Sequence, residues 1–87
     1  MPSFNELFET LKSRQTTSDG SSRTAELLEQ GTHAIGKKIV EEAAEVWMAA
    51  EHEGKAATAA EIAQLIYHLQ VLMIDRGITL EELEKEL

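Results

Sequence analysis

Two long helix-patterned stretches with only two residues between them are the strongest constraint on how this chain folds. One begins at Thr32 and reaches about Glu53; the other runs from about Ala56 to Arg76, with Gly54-Lys55 in the gap. The first carries Ile35, Ile39, Ala43, Val46 and Ala50, and the second Ile62, Leu65, Ile66, Leu69, Leu72 and Met73. Both sets recur at helical spacing and form apolar stripes of the kind that bury one helix face. Helices of this length on so short a link must turn back on one another, so the pattern predicts an antiparallel hairpin.

Shorter helices flank it. Phe4, Leu7, Phe8 and Leu11 form a stripe over Phe4–Arg14, and Ser3 with Glu6 makes the S-x-x-E capping pattern. Gln15 to Ser22 is rich in Ser, Thr, Asp and Gly and reads as a polar loop. A short helix is expected from Arg23 to Gln30, stopped by Gly31, with Thr32 capping the next. Thr79 and Glu82 repeat the capping box before a last helix, and Ile78 with Leu83 fits a hydrophobic staple. No segment reads as strand. The expected architecture is all-α, one domain over residues 1–87: a hairpin of two long helices plus shorter flanking helices.

Size and charge bound the function. A chain of 87 residues buries a modest share of its surface and encloses its helix stripes poorly alone, so a dimer is expected. Cysteine is absent, which excludes disulfides and thiolate zinc sites. Sixteen acidic residues against eight basic ones give a net charge of −8, unfavourable for nucleic acid or an anionic membrane surface. A small phosphorylated ligand remains compatible if divalent cations screen the carboxylates. No apolar run approaches the roughly 20 residues of a membrane span. The N-terminus lacks the basic patch and apolar stretch of a signal peptide, so a cytoplasmic location is expected.

The chemistry lies on the hairpin. The third helix contains Glu41-Glu42-Ala43-Ala44-Glu45 and the fourth Glu61-Ile62-Ala63-Gln64. At about 100° per residue, Glu42 lies about 70° to one side of its helix's stripe, and Glu45 about 60° further round. Glu61 lies about 80° to the same side of its own stripe, with Gln64 beyond. A turn near Gly54 places Glu45 opposite Glu61 and Glu42 opposite Gln64. Acidic runs on helices are usually solvated faces. Carboxylates converging at a seam instead need protonation, a basic partner or a cation, and hard divalent ions prefer such oxygen clusters.

Four segments resemble one family, the phosphoribosyl-ATP pyrophosphohydrolases of histidine biosynthesis. They are Ser22-Arg23-Thr24-Ala25-Glu26-Leu27-Leu28, Gly36-Lys37-Lys38-Ile39-Val40-Glu41-Glu42-Ala43-Ala44-Glu45-Val46, Glu61-Ile62-Ala63-Gln64-Leu65-Ile66-Tyr67-His68, and Arg76-Gly77-Ile78-Thr79-Leu80-Glu81-Glu82-Leu83. E-E-x-x-E alone is shared with the wider all-α MazG-like NTP pyrophosphatases; the four segments in this order are more specific. The resemblance implies Mg²⁺-dependent hydrolysis of phosphoribosyl-ATP to phosphoribosyl-AMP and pyrophosphate by at least a homodimer, in which the hairpins of two chains would complete a four-helix-bundle core. It maps the metal-binding pattern onto Glu42, Glu45, Glu61 and Gln64. The family usually has Asp where this chain has Gln64, and a neutral amide oxygen attracts a cation less. Val40 stands where many members have Gly.

With that chemistry, Glu41 or a hydroxide generated at the metal would serve as base. Lys38 would contact phosphate or form an i,i+4 pair with Glu42. Ser22, Arg23 and Thr24 stand at a helix N-terminus suited to phosphate. Together with Arg14 and Lys37 they are the candidates for reading the phosphoribosyl arm. Trp47 reads as core or dimer interface, and His68 as structural. His33 and His52 carry no pattern, and Asp75 is a weaker acidic candidate. The same carboxylates would also suit a pyrophosphatase for another nucleoside triphosphate, and a non-catalytic helical interaction module is the alternative of a different class.

Overall fold

The computed structural model describes residues 1–15 and 22–87, so most of the polar segment expected at Gln15–Ser22 lies outside the described residues. The elements are α1 (Phe4–Arg14), α2 (Arg23–Gln30), α3 (Thr32–His52), α4 (Lys55–Arg76) and α5 (Leu80–Glu86), with no strand among the described residues. Both expected capping boxes form. Glu6 N–H donates to Ser3 Oγ at 3.1 Å and Ser3 N–H to Glu6 Oε1 at 2.8 Å. Thr79 and Glu82 make the same reciprocal pair at 2.9 and 3.1 Å.

The α2–α3 junction differs from expectation. Gly31, not Thr32, is the N-cap of α3, and it also ends α2. Its φ of 96° is a conformation that side-chain-bearing residues rarely adopt, so the chain breaks there and Thr32 is already helical. The Thr32 hydroxyl is thereby released from capping and donates to Asp75 Oδ2 near the end of α4. That bond closes one end of an antiparallel hairpin whose other end is the Glu53-Gly54 link. Gly77, at φ 68°, terminates α4, with Ile78 N–H reaching back to the Met73 carbonyl at 2.8 Å and Gly77 N–H to that of Ile74 at 3.1 Å.

The core sits toward one end of this hairpin. Phe8 and Leu11 of α1, Leu27 of α2, Ile35 of α3 and Val71, Met73 and Ile74 of α4 are buried together. Towards the tip, α3 and α4 cover one another among the described residues. The long helices are also rolled relative to the expected stripes. On α3 the buried and half-buried line runs Ile35, Ile39, Glu42, Val46, Ala49, while Ala43 and Ala50 are exposed. On α4 it runs Thr58, Glu61, Leu65, His68, Leu72, Asp75, while Ile62 and Leu69 are exposed. Each line alternates steps of three and four residues, the spacing of a helix–helix seam. Burial thus follows the partner helix rather than the most apolar stripe, and it takes in two glutamates and a histidine.

The roll leaves apolar surface uncovered. Trp47 is 65% exposed, Val40 70%, Met48 56% and Ile62 42%, so Trp47 is not part of this chain's core. By length and composition α4 would also suffice to cross a membrane, contrary to the expectation from apolar runs, because Glu61 is the only acidic residue between its first turn and Asp75. The helix packs along α3, however, and buries His68 and Gln70 completely. Gln70 Nε2 donates to the Phe4 carbonyl at 3.0 Å, which ties α1 to α4.

Candidate metal centre

The roll of α3 and α4 brings Glu42 and Glu61 onto the seam itself, with Glu45 one turn beyond Glu42 at its edge. One carboxylate oxygen from each of Glu42, Glu45 and Glu61 lies within 4.8 Å of the others. Glu42 and Glu61 are half-buried and Glu45 is exposed, so the cluster opens on one side to solvent. Glu42 Oε2 is buried and has no hydrogen-bond partner among the described residues.

The electrostatics follow. The Glu61 carboxyl is held above its ordinary range, first by a hydrogen bond shared with Glu45. Desolvation adds to this, followed by the negative charges of Glu45, Glu42 and Glu53. Among the described residues no salt bridge reaches the three carboxylates. Lys38, the nearest cation in sequence, pairs with Glu41 at 3.4 Å instead of with Glu42. Glu41 is therefore turned to Lys38 and stands outside the cluster. A cluster with three hard oxygen donors, one orphaned buried oxygen and an open side fits a divalent cation such as Mg²⁺.

The neighbouring residues sort clearly. Gln64, one turn after Glu61, has an exposed side chain, and its backbone carbonyl accepts a bond from His68 Nδ1 at 2.8 Å. A carbonyl cannot donate, so Nδ1 carries the proton, and Nε2 is buried without a partner among the described residues. His68 also lies edge-on to Tyr67 with ring centroids 4.9 Å apart. Asp75 is engaged by Thr32, away from the cluster.

The expected phosphate-binding residues divide into two groups. Ser22 Oγ accepts from Ala25 N–H at 3.3 Å and so is occupied as the α2 cap. Thr24 is buried, its hydroxyl 2.8 Å from that of Tyr67. Arg23 and Lys38 meet instead across a cavity of about 210 Å³ between α2 and α3, lined also by Glu26, Leu27 and Gln30. Lys37 and Arg14 are exposed and do not line it. Sequence reasoning missed Tyr67, Glu26 and Gln30. Arg23, Glu26 and Gln30 do share one face at i, i+3 and i+7, which was the available signal.

A helical hairpin with three converging carboxylates on its seam, and a cavity between α2 and α3 lined by two cations, defines an all-α protein with an acidic cluster on its longest helix pair. Comparison with known proteins narrows this class. The family model described as phosphoribosyl-ATP pyrophosphohydrolase matches residues 4–87, and the chain belongs to that family. It is 58% identical over 87 residues to the phosphoribosyl-ATP pyrophosphatase of Bifidobacterium adolescentis, covering 100% of both chains. It is 61% identical over 80 residues to the enzyme of that name from Streptomyces coelicolor, covering 91% of this chain and 89% of the relative. The Streptomyces avermitilis protein of the same name is 62% identical over 80 residues.

Proposed function

We propose that this chain hydrolyses phosphoribosyl-ATP to phosphoribosyl-AMP and pyrophosphate, the second step of histidine biosynthesis. The observation that carries the reading is the cluster of Glu42, Glu45 and Glu61 around a buried, partnerless Glu42 oxygen. Glu42, Glu45 and Glu61 would hold Mg²⁺, and Gln64 would add a neutral oxygen at the rim. Bound there, the ion supplies charge neutralisation for the phosphoanhydride and lowers the pKa of water. The remaining work falls to the chain. Lys38 exchanges its exposed Glu41 partner for phosphate, since a surface ion pair of this kind is weak. Glu41, released by that exchange, becomes available to take a proton from the attacking water. Arg23 binds phosphate across the cavity from Lys38.

The enzyme works as a homodimer in the cytoplasm on this reading. Val40, Trp47 and Met48 of α3 and Ile62 of α4 are large apolar side chains left exposed, the kind of surface that a partner chain covers. A second hairpin laid on that face completes a four-helix core.

The test is to incubate the purified protein with Mg²⁺ and phosphoribosyl-ATP and to assay both products. Stoichiometric phosphoribosyl-AMP and pyrophosphate, abolished by chelator and by Glu42→Gln, are expected. Turnover of plain ATP or dUTP with phosphoribosyl-ATP ignored would overturn the substrate assignment.

A further inference from the structure

We infer that the cavity between α2 and α3 is a subsite for a ribose 5-phosphate group, in which Arg23 and Lys38 hold the phosphate while Glu26 and Gln30 read the sugar. The inference rests on the proposed activity for its biological substrate, since this group is what phosphoribosyl-ATP carries and ATP lacks.

The lining argues for a sugar phosphate rather than a bare phosphate. Two cations suit an anion, but Glu26 in the same wall would repel pyrophosphate or a triphosphate. A carboxylate is an acceptor only, and its natural partners are hydroxyls; dinucleotide-binding folds use an acidic residue on ribose in this way. Gln30, one turn further along α2, offers both an acceptor and donors. Leu27, 5% exposed, supplies an apolar floor for the furanose carbons between these polar groups.

Size and position agree. At about 210 Å³ the cavity falls below the roughly 300–1,000 Å³ that encloses a whole small ligand, so it accepts a fragment of a nucleotide. Lys38 precedes Glu42 by one helical turn and Glu45 by two, about 6 and 10 Å along α3. A single bent nucleotide can therefore place its triphosphate at the carboxylates and its far phosphate in the cavity. Both cations are available. Lys38 and Glu41 are 44% and 57% exposed and easily separated, and Arg23 has no ion-pair partner among the described residues.

The test uses the intact protein without metal, titrated separately with ribose 5-phosphate and with pyrophosphate while the resonances of Arg23, Glu26, Gln30 and Lys38 are followed. Ribose 5-phosphate should perturb all four in a saturable manner, and pyrophosphate should not. Glu26→Gln and Gln30→Ala, both at exposed positions, should weaken that binding and lower kcat/KM for phosphoribosyl-ATP, by about tenfold for Glu26, whose bond is to a charged group, and by about fivefold for Gln30, whose bond is neutral. Inhibition by pyrophosphate should not change in either variant. Pyrophosphate saturating the cavity, or no response to millimolar ribose 5-phosphate, overturns the subsite even if the enzyme hydrolyses phosphoribosyl-ATP. Saturable ribose 5-phosphate binding in a protein that fails to hydrolyse phosphoribosyl-ATP overturns the proposed activity and leaves a sugar-phosphate site.

Discussion

The hydroxyls of Thr24 and Tyr67 lie 2.8 Å apart across 43 positions of sequence, and they fasten the first turn of α2 to α4. Thr24 is 1% exposed and follows Arg23 directly, so this bond sets where the Arg23 side chain departs from α2. Tyr67 stands on the helix that carries Glu61. The cation-lined cavity and the carboxylate centre are thereby held to one frame.

Tyr67→Phe should leave the Thr24 hydroxyl buried and unpaired, costing about 1–3 kcal/mol of stability. Adding Thr24→Val should recover much of the loss, because replacing both partners by apolar groups of similar shape is nearly neutral. Thermal unfolding of the two single variants and the double variant measures this. In the single variant KM for phosphoribosyl-ATP should rise more than kcat falls, reflecting a displaced Arg23.

Glu42→Gln, Glu45→Gln and Glu61→Gln should each collapse turnover while leaving metal-free thermal stability unchanged or higher. Each removes a repelling charge from the cluster together with a cation ligand. Full activity in any of the three would remove that residue from the metal-binding set.

Glu61 makes the stability of the metal-free protein depend on pH in an unusual direction for a carboxylate. Its folded pKa is raised above the ordinary 4.5, chiefly by the hydrogen bond shared with Glu45. The folded state therefore holds this proton more tightly than the unfolded state. The resulting stabilisation is complete below the ordinary value and is lost as pH rises through the raised one. Unfolding midpoints measured across mildly acidic pH should show this loss, and Glu61→Gln should remove it. Mg²⁺ affinity should rise over the same window, because the cation must displace the proton.

Gln64→Asp should tighten Mg²⁺ binding by adding a fourth negative ligand to Glu42, Glu45 and Glu61. Calorimetric titration of the two proteins decides this. Unchanged or weaker affinity would place position 64 outside the coordination sphere.

Trp47→Lys should shift the protein from dimer to monomer in light scattering, since it puts a charge in the middle of the uncovered face of α3. A wild-type protein that stays folded and monomeric at micromolar concentration would rule out the proposed assembly.

Much of this molecule was legible in its residues. Ser3 with Glu6 and Thr79 with Glu82 announce their caps because a capping box is a local contract, complete within four residues. Gly77 ends α4 for a similarly local reason, and the short link at Glu53-Gly54 makes the hairpin unavoidable. Glu42, Glu45 and Glu61 could be brought together on a helical wheel, because the spacing of three and a link of fixed length leave little geometric freedom. The Thr32 cap failed at the same scale: Gly31 tolerates a φ that takes over the junction, and Thr32 became free to reach Asp75.

What only tertiary structure decided was the roll of each long helix about its axis. The wheel places a stripe at the centre of apolar residues, but α1 and α2 cover only part of the hairpin, and among the described residues Ile62 and Trp47 stay exposed. With that freedom the helices turned Glu42, Glu61 and His68 into the seam and left apolar residues outside. The sequence determined which carboxylates can meet, since that depends on local period and loop length. Their burial, the orphaned Glu42 oxygen, and the meeting of Arg23 with Lys38 across a cavity depend on how α2, α3 and α4 pack. Such contacts join residues far apart in the chain, and no local pattern encodes their angle.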